Sequence, residues 1–270
     1  MHIHILGICG TFMGGLALLA REMGYTVTGS DAGVYPPMST QLEAAGIVLH
    51  EGYDPAPLEP APDLVVVGNA LSRGNPAVEY MLDRGLAYTS GPQFLAEHVL
   101  PGRWVLAVAG THGKTTTSSI ISFMLELAEL DPTSIIGGKV LEMGSNAKLG
   151  ASEYLVAEAD ESDRSFLHLF PTVAVVTNIE PEHMDYYSSF EDIKNCFKQY
   201  VAKIPFYGLA ILCGDDKGVQ AILKDITVRR MTYGFGKEND LRPMWRRNEG
   251  WKSRFVLKLE GKLYEFELSL

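Results

Sequence analysis

Apolar and polar positions along the chain alternate between short apolar runs and stretches of helical spacing. The first run, "HIHILGI" from His2 to Ile8, alternates and then turns continuously apolar, as a strand entering a buried sheet does. "TFMGGLALLAREMG" (Thr11 to Gly24) is small and apolar enough for a helix packed on that sheet, stopped by Gly24. "YTVTGSD" gives a second strand ending at Asp31, and "PDLVVVGNA" (Pro62 to Ala70) a third, with a helix from Asn75 to Arg84 behind it. Strands alternating with helices predict a parallel, doubly wound sheet.

Around "HVLPGRW" (His98 to Trp104) the pattern pauses at a Pro-Gly turn and starts afresh, which places a domain boundary there: residues 1–100 and 101–270. The second section repeats the alternation. "WVLAVAG" reads as a strand, Lys114 to Leu130 as a helix, and "EYLVAEAD" and "TVAVVTN" as further strands. "FEDIKNCFKQYVAKI" (Phe190 to Ile204) has helical spacing and "GLAILCGDD" is another strand. The late stretch "RFVLKLEGKLYEFELSL" predicts a β-hairpin turning at Glu260-Gly261. There is no internal repeat and no low-complexity segment. The expected class is α/β.

Composition narrows the function. The 270 residues are 46% hydrophobic and 21% charged, as in an ordinary globular protein. A net charge of −10 repels a phosphate backbone, so nucleic acid is not the expected partner. Cys9, Cys196 and Cys213 are scattered without metal-like spacing and fit a reducing compartment. "MHIHILGICG" lacks a basic region before an apolar core, and no run approaches membrane-spanning length. The expectation is a cytoplasmic protein with no membrane partner.

Candidate chemistry gathers where strands end. Gly7, Gly10, Gly14 and Gly15 lie at the first strand-to-helix turn, where glycine lets a backbone approach a pyrophosphate and the helix N-terminus offers free N–H groups. Asp31 stands where a Rossmann-like dinucleotide fold keeps an acid for a ribose diol, but Cys9 occupies the place of the fingerprint's second glycine. The same glycines also suit close helix–strand packing without a ligand.

"AGTHGKTTT" (Ala109 to Thr117) follows a buried strand and opens a helix. Backbone amides at Gly110 and Gly113 with the Lys114 ammonium suit a triphosphate, and Thr115 offers a hydroxyl to magnesium. The first Walker glycine is missing, its place being Val108. Glu158 ends the strand of "YLVAEADESD", as a Walker-B acid orienting magnesium does, with Asp160, Glu161 and Asp163 behind it; Asp160 and Asp163, and less so Glu158, also read as a solvated acidic loop. "TNIEPEHMD" adds Asn178, Glu180, Glu182, His183 and Asp185 at another strand end. Magnesium prefers oxygen, so a histidine ligand would suit manganese better.

"GTHGKTTT", "EADES" and "NIEPEHMD", behind "GICGTFMGGLA" and "SDAGVYPPMST", resemble the Mur ligases of bacterial peptidoglycan synthesis. That family's phosphate loop lacks the first Walker glycine. The resemblance implies a Rossmann-like N-terminal domain binding UDP-N-acetylmuramate and a P-loop ATPase-like central domain, here partial. It implies ATP and Mg2+ (Mn2+ as an alternative) and an amino acid or peptide amine as co-substrate. Residue by residue, Gly110, Thr111, His112, Gly113, Lys114, Thr115, Thr116 and Asn178 would meet ATP, and Thr115, Glu158 and His183 the metal. Lys114, His112, Glu158 and His183 would be catalytic. Gly7, Cys9, Gly10, Thr11, Met13 and Gly14 would take the diphosphate of the UDP-sugar, with Asp31 and Asn69 on the uridine side. Some members carry a carbamylated lysine after the histidine motif; Lys194 and Lys198 are the lysines there, and neither is assigned.

Residues 1 to about 117 resemble members that accept the tripeptide L-alanyl-γ-D-glutamyl-meso-diaminopimelate, whereas "LDPTSIIGGKVLEMGSNAKLG" onward resembles members that accept L-alanine. Family members continue past the late hairpin into the rest of the ATPase domain and a C-terminal domain. The expectation is therefore nucleotide-sugar binding with little turnover. Two other classes stay open: a silent nucleotide-binding protein derived from a ligase, and a nicotinamide-dependent oxidoreductase. The latter leaves "GTHGKTTT" and "EADES" unexplained.

Overall fold

Apolar runs and helical stretches become parallel strands joined by helices in the computed structural model, which describes Met1–Gly137 and Asn146–Ser269. Strand β1 (His2–Leu6), helix α1 (Thr11–Glu22) and strand β2 (Thr26–Asp31) form the first unit of alternation. Helix α2 (Met38–Ala44) and strand β3 (Val48–Glu51) follow, then β4 (Leu64–Val67), α3 (Pro76–Asp83) and β5 (Tyr88–Ser90). The sheet order is β3-β2-β1-β4-β5, all parallel, with Ile3 opposite Val27 on one side and Leu64 on the other. The order changes direction between β1 and β4, where open α/β sheets leave a crevice for a ligand.

The second run of elements is α4 (Gly91–Phe94), β6 (Trp104–Ala109), α5 (Lys114–Leu127), β7 (Thr133–Ile135), β8 (Ala147–Lys148) and β9 (Tyr154–Ala159). Then come β10 (Val173–Val176), α6 (Phe190–Val201), β11 (Leu209–Cys213), α7 (Lys217–Leu223) and β12 (Arg230–Tyr233). Strand β7 pairs in parallel with β9 and antiparallel with β8, while β10, β11 and β12 run parallel in that order. By compactness the chain divides into Met1–Leu106 with Thr115–Glu158 and His168–Phe170, and Ala107–Lys114 with Ala159–Leu167 and Pro171–Leu270.

Local chemistry accounts for these elements. Helix α3 starts on Asn75, whose side chain accepts from the Ala77 and Val78 N–H groups, with Pro76 at the first helical position. Helix α6 starts on Ser189, whose hydroxyl accepts the Asp192 N–H at 3.1 Å. It buries Ile193, Cys196, Phe197, Tyr200 and Val201, a single stripe at helical spacing. Helix α1 is buried over most of its circumference, and small residues let its neighbours close in. A Cβ on Gly14 would lie 2.3 Å from Met38 Sδ, and one on Gly15 would lie 3.0 Å from Asn146 Nδ2. Asn146 Nδ2 donates to the Thr11 carbonyl at 2.6 Å, and the Leu149 N–H donates to Glu22 at 2.7 Å, which ties β8 to the same helix.

One polar side chain is wholly enclosed by the first sheet. His4 is 0% exposed, with Nδ1 2.8 Å from Thr28 Oγ1 and Nε2 2.9 Å from Ser30 Oγ. Burial, and after it the nearby His50 and His2, hold its pKa down to about 4, so the imidazole is neutral in the fold.

Two expectations are corrected. "PDLVVVGNA" holds the fourth strand, not the third, because the short β3 precedes it. The late hairpin is the last two strands of a three-stranded antiparallel sheet, β13 (Pro243–Glu249), β14 (Lys252–Leu259) and β15 (Lys262–Ser269). The first of these, "PMWRRNE", carries too many exposed polar residues to show as an apolar run. Its neighbouring charges pair locally: Arg247 with Glu249 at 2.6 Å, and both Lys252 and Arg254 with Glu267 at 2.6 Å. Among the described residues no helix is long and apolar enough to cross a membrane.

Candidate functional site

Where β1 meets α1, Gly7 has φ +81 and donates its N–H to the Ser30 carbonyl at 2.8 Å. This turn opens a cavity of about 430 Å³, lined by Gly7, Cys9, Gly10, Met13, Asp31 and Asn69 from the sequence-derived set. Gly33, Tyr35, Tyr53, Gly68, Ala70 and Leu71 complete the lining and were missed. Tyr53 follows β3, a strand without apolar signal. Thr11 and Gly14 are placed elsewhere: Thr11 offers its carbonyl to Asn146, and Gly14 packs against Met38.

Asp31 does something the sequence does not suggest. Its two oxygens accept the N–H groups of Cys9 (2.8 Å) and Gly33 (3.0 Å), so the carboxylate shapes the glycine turn itself. Burial, then Asp31 and Glu43, push the Cys9 thiol up to about 11, which keeps it protonated and unreactive at neutral pH.

The phosphate-loop candidate follows β6. Gly110 has φ +137, and a Cβ there would lie 2.1 Å from Thr177 Oγ1 and 3.0 Å from the Asn178 carbonyl, so only glycine fits. Asn178 grips the loop by one residue: Oδ1 accepts the His112 N–H at 2.8 Å and Nδ2 donates to the His112 carbonyl at 3.0 Å. Thr177 Oγ1 donates to that same carbonyl at 2.6 Å. Thr111 Oγ1 accepts the Glu180 N–H at 2.9 Å. The His112 ring reaches outward, with Nε2 3.4 Å from Glu182 and 3.8 Å from Glu180.

Lys114 Nζ donates to the carbonyl of Gly110 at 2.9 Å and to Glu161 Oε2 at 2.8 Å. Glu161 is 2% exposed; burial raises its carboxyl pKa, and Lys114 opposes that rise. Its Oε1 has no hydrogen-bond partner among the described residues and lies 3.8 Å from His183 Nε2. Thr115 Oγ1 donates to the Glu158 carboxylate, 3.1 and 3.0 Å from its two oxygens, and Glu158 also accepts the Gly137 N–H at 2.7 Å. Thr116 is exposed on the first turn of α5. Lys194 pairs with Glu191 and Lys198 with Asp225.

Among the described residues no three His, Cys, Asp or Glu side chains converge on one point. The donors present nonetheless fit a hard divalent cation: at Thr115–Glu158 a hydroxyl lies against a carboxylate. Magnesium typically takes only one or two protein carboxylates and completes its shell from substrate phosphates and water.

Comparison with known proteins gives the family. The model of the Mur ligase family catalytic domain matches residues 2–102, and that of the Mur ligase middle domain matches residues 108–270. The chain belongs to the Mur ligase family. It is 49% identical over 229 residues to the UDP-N-acetylmuramate--L-alanyl-gamma-D-glutamyl-meso-2,6-diaminoheptandioate ligase of Haemophilus influenzae, covering 82% of this chain and 51% of that protein. It is 43% identical over 260 residues to the UDP-N-acetylmuramate--L-alanine ligase of Desulfatibacillum aliphaticivorans, covering 96% of this chain and 56% of that protein. A crystal structure of the L-alanyl-gamma-D-glutamyl-meso-diaminopimelate ligase from Neisseria meningitides superposes with a TM-score of 0.90 at 39% identity, covering 100% of this chain and 87% of that one. The chain thus spans about half the length of the curated relatives it matches. Mur ligases are ATP-dependent, which implies ATP and Mg2+ for the family in general.

Proposed function

We propose that this chain carries the UDP-sugar and ATP sites of a cytoplasmic ligase that joins the lactyl carboxylate of UDP-N-acetylmuramate to the amine of L-alanyl-γ-D-glutamyl-meso-diaminopimelate. The observation that carries the reading is the loop Gly110–Thr115, whose lysine meets one carboxylate, Glu161, and whose threonine meets another, Glu158. The cavity at Gly7, Gly10 and Asp31 would take the diphosphate and uridine of the sugar nucleotide. Residues 1–100 and 101–270 would be the two domains.

In the reaction the lactyl carboxylate attacks the γ-phosphorus of ATP, and ADP leaves. The amine then attacks the carbonyl carbon of the acyl phosphate, inorganic phosphate leaves, and the nitrogen gives up a proton. Two anions must meet in the first step, so the protein's work is positioning and charge neutralisation. Lys114 and the amides of Gly110 and Gly113 would hold the phosphates, Asn178 would keep that loop in shape, and His112 would face the reacting carboxylate. Thr115, Glu158 and His183 would hold magnesium, which supplies charge neutralisation between the phosphates. L-Alanine is the alternative amine, favoured by relatives that match over nearly the whole chain.

Calorimetric titration with UDP-N-acetylmuramate, with NADH as control, tests the first site. Binding of the UDP-sugar alone supports the reading, and binding of NADH alone overturns it. ADP release in the presence of the tripeptide or of L-alanine then identifies the amine.

A further inference from the structure

A cavity that none of the roles above uses lies between the ends of β11 and β12 and one face of the sheet β13–β15. It measures about 920 Å³, about twice the cavity at the glycine turn, and is large enough for a small organic ligand. The register of the sheet decides what faces it. Arg246, Phe255 and Phe266 stand opposite one another across the three strands and so share one face, while Arg247, Arg254 and Glu267 share the other. The second face is charged and pairs its charges internally, Arg254 with Glu267 and Arg247 with Glu249. The first is apolar. Phe255 and Phe266 stack with ring centroids 5.1 Å apart, and Phe255 and Leu257 line the cavity together with Tyr233, Leu241 and Trp251.

Arg246 is set into this apolar face. Its guanidinium lies over the Phe235 ring, 4.5 Å from the centroid, and among the described residues no carboxylate pairs with it. Stacking on an aromatic face leaves the N–H edge of a guanidinium free for an anion. The other cation of the lining, Lys252, is already held by Glu267 at 2.6 Å. The acid of the lining, Asp215, is turned onto its own loop: Oδ2 accepts the Phe235 N–H at 2.5 Å, and Oδ1 accepts the Gly236 N–H at 2.9 Å and the Asn239 amide at 2.7 Å. That carboxylate therefore fixes the turn that puts Phe235 beneath Arg246.

We propose that this cavity binds a small organic anion with a flat apolar body, the body lying against Phe255, Leu257 and Trp251 and the anionic group meeting Arg246. Charge selects the class, because a neutral ligand leaves the guanidinium without a partner and a cation is repelled by it. The site shares no residue with the sugar-nucleotide cavity or with the phosphate loop.

Two fluorescent probes that differ in one group test it on the intact chain: anilinonaphthalene sulfonate, and N-phenylnaphthylamine, which is the same body without the sulfonate. The sulfonate should bind at one site roughly tenfold or more tighter than the neutral probe, as one charge-assisted hydrogen bond implies. Amide shifts in nuclear magnetic resonance should gather at residues 233–235 and on β14. Arg246→Gln should remove the advantage of the sulfonate and leave the neutral probe unchanged, whereas Arg246→Lys should keep part of that advantage. Leu257→Ala should weaken both probes to a similar degree. Equal affinities, a sulfonate indifferent to Arg246→Gln, or shifts gathered instead at the turn of Gly7 and Gly10 overturn the proposal. A sulfonate site that vanishes when the chain is extended to the length of its relatives assigns the face to polypeptide and overturns it too. So does a probe that competes with self-association in sedimentation, which assigns the face to a second copy.

Discussion

His4 makes the stability of the N-terminal sheet depend on pH in a calculable way. Its imidazole is enclosed between Thr28 and Ser30 and is neutral in the fold, with a pKa near 4 against 6.5 for an ordinary histidine. A group whose folded pKa is depressed contributes stability that is fully present above its unfolded pKa and is lost as pH falls through the folded value. The gap corresponds to about 3 kcal/mol in all, most of which should disappear between about pH 7.5 and about pH 4.5. Glu161 works in the opposite direction, because its raised carboxyl pKa makes the fold prefer the protonated acid. The comparison that isolates His4 is therefore between the unaltered chain and His4→Gln, which keeps hydrogen-bonding capacity and cannot titrate. Hydrogen exchange of the β1 and β2 amides, with urea unfolding as a second readout, should show the unaltered chain losing about 2–3 kcal/mol more than the variant over that interval. Parallel pH profiles for the two would refute the account of His4 as a buried neutral base.

Other substitutions probe the sites. Asn178→Ala removes its two hydrogen bonds to the His112 peptide and should weaken ATP binding about thirtyfold, at about 1 kcal/mol for each bond, without changing UDP-sugar affinity in calorimetry. Gly14→Ala should cost about 1–3 kcal/mol in urea unfolding by overpacking against Met38, and Met38→Ala in the same chain should restore part of that loss. Asp31→Asn should weaken UDP-sugar binding by loosening the glycine turn. The same change should speed alkylation of Cys9, because the carboxylate that helps push the thiol up is gone.

What could be read beforehand follows burial. β1, β4, β6, β9 and β10 are apolar because neighbours cover them, and each was visible as a run. β3 escaped because Val48 is 55% exposed at the sheet's edge, and β13 because nearly every residue on it faces water. Among site residues the loop lysine, threonine and terminal-strand acid were legible from order and spacing alone. Their partners were not. Which of Glu158 and Glu161 meets Lys114 depends on how the chain turns after β9, and nothing in "EADES" declares that. Nor does Asn178 announce that its amide is turned onto the His112 peptide.

The contact between α1 and β8 bears on how this polypeptide can be cut. Gly15 leaves room for Asn146, and Asn146 in turn closes on the Thr11 carbonyl at the mouth of the helix. A chain ended near residue 100 would strip the cover from a helix face selected to be covered, leaving Gly15 with nothing to accommodate. The seam in the sequence is thus a poor place for an expression boundary. A graft that brings the first hundred residues from one homologue and the rest from another must carry the Gly15–Asn146 match across the join.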